Sequence, residues 1–136
     1  MRKLCHALAV LASAVAFVAV PAGSANAFGG ESLGCAINPS SSTTLHAGGC
    51  STKGSYSQKL YYIMFAVMNG SGTYGYTWSF SEPVNIYSGC TSTSSSCEVT
   101  VYGGGGTDTI VYGYVTLTQN GQSETLSARA LIPGLM

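Results

Sequence analysis

Alternation of apolar and polar residues with a period of two recurs along most of this chain, and it restricts the fold to sheets. Tyr74, Tyr76, Trp78 and Phe80 alternate with Gly75, Thr77 and Ser79, the signature of a strand with one aromatic face. Trp78 is the only tryptophan and is read as a core anchor, buried between sheets on the strand expected to be central. Glu98 to Tyr102 alternates in the same way. The runs Thr109 to Thr118 and Gln122 to Ile132 flank Gln119-Asn120-Gly121, and Asn-Gly between two alternating runs signals a hairpin. In the last run Leu126, Ala128 and Ala130 share one face, with Ser127 and Arg129 opposite.

Leu60 to Met68 is apolar on both faces, so it is either covered on both sides or covered on one and exposed on the other as a contact surface. A helix is the competing assignment for such a run. The β-formers Tyr61, Tyr62, Ile63, Phe65 and Val67, closed by Asn69-Gly70-Ser71-Gly72, decide for a strand. After Glu82-Pro83, Val84 to Tyr87 makes a short strand. Leu33, Ala36 and Ile37 mark a first edge strand, followed by a loop up to Ser57. About seven strands separated by turns, with no helical periodicity, predict an antiparallel β-sandwich.

The start of the chain has a different character. Met1-Arg2-Lys3 is basic, Ala7 to Val20 is apolar, and Ala25-Asn26-Ala27 is a small-x-small cleavage site. These are the parts of a secretory signal peptide. A membrane anchor would need roughly 20 apolar residues, and this run stops at Pro21. A lipoprotein would need a cysteine directly after the apolar run, whereas Cys5 precedes it and Cys35 lies well beyond it. Residues 1–27 are therefore expected to be removed, leaving residues 28–136 as a single secreted or periplasmic domain without a stable membrane anchor.

That mature part keeps Lys53, Lys59 and Arg129 against Glu31, Glu82, Glu98, Asp108 and Glu124, a net charge of about −2. So few scattered basic residues argue against nucleic acid as a partner. Cys35, Cys50, Cys90 and Cys97 remain, an even number in an exported chain, and two disulfides are expected. Of three connectivities, Cys35–Cys50 with Cys90–Cys97 is preferred, because each pair closes a short polar segment without crossing the core. Zinc would want a C-x2-C pair, and the spacings x14, x39 and x6 contain none.

Residues able to carry catalysis are scarce. His46 is the only histidine after the leader and has no nucleophile or carboxylate beside it in sequence, so it reads as a solvated loop residue. No Gly-x-Ser-x-Gly occurs, and no His/carboxylate cluster has metal spacing. Glu82, Glu98 and Asp108 lie near predicted strand ends, where carboxylates are solvated, bind calcium or, as a pair, hydrolyse glycosides; solvation is the reading adopted. Gly103 to Gly106 is read as a connection, since no Gly-Lys-Ser/Thr follows to make a phosphate loop. Asn69-Gly70-Ser71 matches a glycosylation sequon, read as chance behind a bacterial-looking leader. The expectation is a protein that is not an enzyme, with no catalytic residues, metal or cofactor.

Two stretches carry a resemblance. Ala66-Val67-Met68-Asn69-Gly70-Ser71-Gly72 followed by Tyr76-Thr77-Trp78-Ser79-Phe80 resembles the second and third strands of bacterial Ig-like domains of the PKD type. Val115-Thr116-Leu117-Thr118-Gln119-Asn120-Gly121 resembles that family's penultimate strand and closing turn, and Val99-Thr100-Val101 falls where a middle strand would. The resemblance covers roughly residues 58–132. Ser81-Glu82-Pro83 stands where the family has Gly-Asp-Gly. It implies an Ig-like sandwich acting in extracellular adhesion, spacing or carbohydrate contact. It also implies that Val111, Val115 and Leu117 point inward, which leaves Tyr112 and Tyr114 on the outer face as candidate ligand contacts. The opposite register, with Ile110, Tyr112 and Tyr114 in the core, stays open at this point. The functional expectation is a secreted binding or structural domain whose partner is an extracellular glycan or protein; a carbohydrate-binding module and a small secreted inhibitor or toxin are its alternatives.

Overall fold

A computed structural model describes residues 28–38 and 44–135; the expected leader, residues 1–27, lies outside them. Among the described residues nine strands run in the order β1 (Ser32–Asn38), β2 (His46–Ala47), β3 (Gly49–Ser51), β4 (Leu60–Met68), β5 (Gly75–Phe80), β6 (Asn85–Gly89), β7 (Ser96–Tyr102), β8 (Thr109–Gln119) and β9 (Gln122–Ile132). They form two sheets, β2-β1-β4-β7-β6 and β3-β9-β8-β5, with the core between them. The count exceeds the seven expected because the loop after β1 contributes β2 and β3. In its described residues that loop pivots at Gly48 (φ 76°) and gives one short strand to each sheet, β2 antiparallel to β1 and β3 parallel to β9. For the same reason β1 is not an edge strand, since β2 lies outside it.

The alternation seen in sequence becomes the inward and outward faces of each sheet. Leu33, Cys35 and Ile37 of β1, Tyr61, Ile63 and Phe65 of β4, and Cys97, Val99 and Val101 of β7 face Val111, Val115 and Leu117 of β8 and Ala128, Ala130 and Ile132 of β9. At the middle, Phe65 lies between Cys35 and Cys97 in the sheet register. Across the core stands Gly113, where an added Cβ would come within 2.7 Å of the Phe65 ring. A side chain there would occupy the space of the phenyl, so the glycine is what allows the two sheets to close over it. Phe80 packs beside it, ring centroids 5.8 Å apart. The β8–β9 turn has positive φ at both Asn120 (51°) and Gly121 (76°), as a type I′ hairpin requires.

Phe28 and Glu31 close one end of the sandwich. The Phe28 ring stacks on Tyr74 at 6.0 Å, and the Tyr74 hydroxyl donates to Glu31 Oε1 at 2.5 Å. That hydrogen bond, followed by those from the backbone N–H groups of Glu31 and Gly29, holds the Glu31 carboxyl below its ordinary range.

Both disulfides join the cysteines preferred from sequence, Cys35 to Cys50 and Cys90 to Cys97. The first bridge, however, does not stay clear of the core. Cys35 lies on the inner face of the five-stranded sheet and Cys50 in β3 of the other, so this bridge ties the two sheets along one side. Cys90–Cys97 stays within the five-stranded sheet, but the loop it closes reaches across the opposite side. Ser92 O accepts from the Tyr76 N–H (3.0 Å) and Ser94 O from the Trp78 indole N–H (3.1 Å). Two crosslinks of this kind suit an oxidising compartment. Among the described residues no helix is long and apolar enough to cross a membrane.

Trp78 departs from expectation. Its strand β5 is at the edge of the four-stranded sheet, not the centre, and the indole is half-buried against the core, beneath the Cys90–Cys97 loop. Period-two alternation identifies the inward face of a strand but carries no information about its neighbours, and the sandwich is less closed at an edge. The sandwich therefore relies on the loop to cover this side. Cys90→Ala with Cys97→Ala should cost about 2.5 kcal/mol by chain entropy and shift tryptophan emission to the red. Unchanged emission in the folded double variant would show that the bridge does not hold the loop over Trp78.

Candidate functional site

Side chains turned away from the core make two outer faces of different character. On the five-stranded sheet, the second face of β4 carries Tyr62, Met64 and Met68 and is only partly covered, with Met64 39% exposed and Tyr62 and Met68 half-buried. Tyr87 of β6 meets Tyr62 edge-to-face at 5.0 Å. Ser88 donates to Glu98 Oε2 at 3.3 Å beside them.

The four-stranded sheet presents Tyr112 and Tyr114. Val111, Val115 and Leu117 are buried, and a strand that turns them inward must turn Ile110, Tyr112, Tyr114 and Thr116 outward. The two rings are within 19° of parallel with centroids 6.4 Å apart. That separation matches two residues of extended chain, about 6.6 Å, so the pair follows the pleat of β8. It exceeds the roughly 4 Å of direct ring-on-ring contact, so neither ring covers the other's face.

What borders the tyrosines is short and hydroxylated. In register, Tyr114 lies between Ser79 of β5 and Ser127 of β9, and the next row is Thr77, Thr116 and Thr125. Thr116 and Thr125 share a hydrogen bond of 2.8 Å. Ser81 is bound to the backbone of Tyr112 both ways: its N–H donates to Tyr112 O at 3.0 Å, and its Oγ accepts from Tyr112 N at 2.9 Å. These contacts pin the backbone under the aromatic pair without covering the rings. Tyr112 is 40% exposed and Tyr114 half-buried.

Arg129 stands directly opposite Tyr112 on the same face. Beyond it a hollow of about 630 Å³ opens where the chain pivots between sheets, lined by His46, Gly48, Gly49, Ser51, Arg129 and Leu131. Reading the sequence segment by segment separates His46 from Arg129; the parallel pairing of β3 with β9, Gly49 beside Arg129, brings them together. The Tyr112–Arg129 pairing was accessible by counting outward from the Asn120-Gly121 turn, because an uninterrupted two-residue hairpin fixes every partner.

The remaining acidic residues are dispersed. Glu82 and Asp108 line a separate cleft of about 560 Å³ with Tyr102 and Ile110, and Asp108 Oδ1 accepts from the Gly134 N–H at 2.8 Å. Among the described residues no three His, Cys, Asp or Glu side chains gather as metal ligands would. Glu124 shares the inner face of β9 with Leu126, and its Oε2 has no hydrogen-bond partner among the described residues. Comparison with protein-family models, with curated proteins and with solved structures finds no match to this chain.

Phenol exposure tests this arrangement without a ligand. Limited nitration followed by peptide mapping should modify Tyr56, Tyr87, Tyr102 and Tyr112 first and spare Tyr61 and Tyr74, which are 1% and 7% exposed. Protection of Tyr112 while Tyr87 and Tyr102 react rapidly would mean that β8 has the opposite register.

Proposed function

We propose that this chain is an exported, non-catalytic domain of Ig-like build that binds an extracellular glycan through the outer face of its four-stranded sheet. The carrying observation is the Tyr112–Tyr114 pair: two near-parallel rings on an inner strand, flanked by serine and threonine and left uncovered among the described residues. A sugar ring presents C–H groups on its face and hydroxyls at its rim, so it stacks on an aromatic ring while its rim meets hydroxyl side chains. Tyrosine supplies both an apolar body and a polar tip at small entropic cost.

The Ig-like part of the reading is supported by strand order. One sheet runs β1-β4-β7-β6 and the other β9-β8-β5, the ABED and GFC arrangement of constant-type immunoglobulin sandwiches, with the tryptophan on the third of those strands. Such a sandwich leaves its sheet faces free for contact. A second reading, docking of a partner protein as an adhesin or inhibitor would, is favoured by the apolar outer face of the other sheet, with Tyr62, Met64 and Tyr87.

The two readings separate in one experiment. The mature protein is applied to immobilised cell-wall glycans and to secreted proteins, alongside Tyr112→Ser/Tyr114→Ser and Tyr62→Ser/Tyr87→Ser. The first double variant should keep its Tm within a few degrees and lose glycan retention, because side chains outside the core contribute little to stability. Retention lost only in the second double variant would move the contact surface to the other face. A collapse of stability in the first would return both tyrosines to the core.

A further inference from the structure

We propose that the hollow beside the tyrosines takes an anionic group, so that the glycan recognised is acidic and carries carboxylate or sulfate; this rests on the glycan reading above. The hollow flanks the aromatic strip on the β9 side. Tyr112 and Arg129 are cross-strand partners on one face, and Arg129 is also a wall of the 630 Å³ space shared with His46, Ser51 and the Gly48–Gly49 backbone. A polymer lying along Tyr114 and Tyr112 therefore has Arg129 at its flank, one strand over from Tyr112.

The charge distribution gives that position its sign. Among the described residues none of the five side-chain carboxylates pairs with Arg129. Glu31 is engaged by Tyr74, Glu98 lies on the other sheet with Ser88, and Asp108 holds the Gly134 N–H. Glu124 faces inward, and Glu82 lines the separate cleft with Asp108. Arg129 is thus an exposed guanidinium without a counter-ion among the described residues, on a face rich in hydroxyls and phenols. A guanidinium presents a planar fork of N–H donors that matches a carboxylate or sulfate edge in two parallel hydrogen bonds, and its plane also packs against sugar and aromatic faces. Neutral glycans would leave this donor set facing water. An acidic residue would fill it, with Ser51 and the imidazole of His46 available as further polar partners within the same wall.

Affinity electrophoresis tests the inference with three defined probes in the gel: polygalacturonate, dextran sulfate and neutral hydroxyethylcellulose. Wild-type protein should be retarded by at least one acidic polymer more than by the neutral one, and the retardation should weaken as salt rises. Arg129→Gln should weaken acidic-polymer binding by about tenfold or more, the expected loss of one charge-assisted pair, while Arg129→Lys retains part of it. Both variants should melt with the wild type, because Arg129 contributes only backbone to the ladder. Retardation by the neutral polymer alone, or acidic retardation unchanged in Arg129→Gln, overturns the acidic subsite and leaves the tyrosine face standing. Retardation by none of the three overturns the subsite, and if the immobilised glycans also retain nothing, the glycan reading falls with it.

Discussion

Phe65 seated on Gly113 is the contact on which the rest of the structure depends. The phenyl needs the space that a side chain at position 113 would fill, so β8 can approach β4 closely only with glycine inward at that point. Once Gly113 faces inward, the pleat requires its neighbours Tyr112 and Tyr114 to face outward, since a slip of one residue would exchange the faces of the whole strand. The same contact that closes the core thus presents the aromatic pair. Phe65 also lies between Cys35 and Cys97 in its sheet, so both disulfides originate beside it and diverge, one to each side of the sandwich.

Those crosslinks compensate for a core built of small side chains in one sheet. Ala128, Ala130 and Gly113 bring β9 and β8 close to the other layer but bury little area each. Chain-entropy arguments assign about 3 kcal/mol to a loop the length of Cys35–Cys50 and slightly less to the shorter one, comparable in size to burying one or two large side chains. Each bridge guards an open flank: β3 is held beside β9 on one, and the loop from Cys90 to Cys97 is laid over Trp78 and the edge of β5 on the other.

Much of this was legible in the sequence because the governing signals are local. Period-two alternation fixes strands and their faces, Asn120-Gly121 fixes a hairpin with its register, and an even set of cysteines fixes two bridges. What escaped is set by contacts between distant segments. β5 has the most regular aromatic alternation in the chain, yet it lies at an edge, because strand order depends on which sheets the connections cross. The strands β2 and β3 are too short to leave a periodic trace, and so the sheet-switching pivot at Gly48, the inter-sheet course of Cys35–Cys50 and the hollow joining His46 to Arg129 were invisible. Tyr112 and Tyr114 could be named as a pair from the pattern alone; which face they occupy required the glycine between them to be matched with Phe65 across the core.

A double-mutant cycle on that pair tests the account most directly. Gly113→Ala and Phe65→Leu are made singly and together, and unfolding free energies are measured by denaturant titration. Gly113→Ala should cost about 1–3 kcal/mol beside the intact phenyl, as overpacking does, and clearly less beside leucine, leaving a coupling energy of about 0.5 kcal/mol or more. Strict additivity, with Gly113→Ala equally costly in both backgrounds, would mean that position 113 does not face Phe65. The register that turns Tyr112 and Tyr114 outward would then lose its cause.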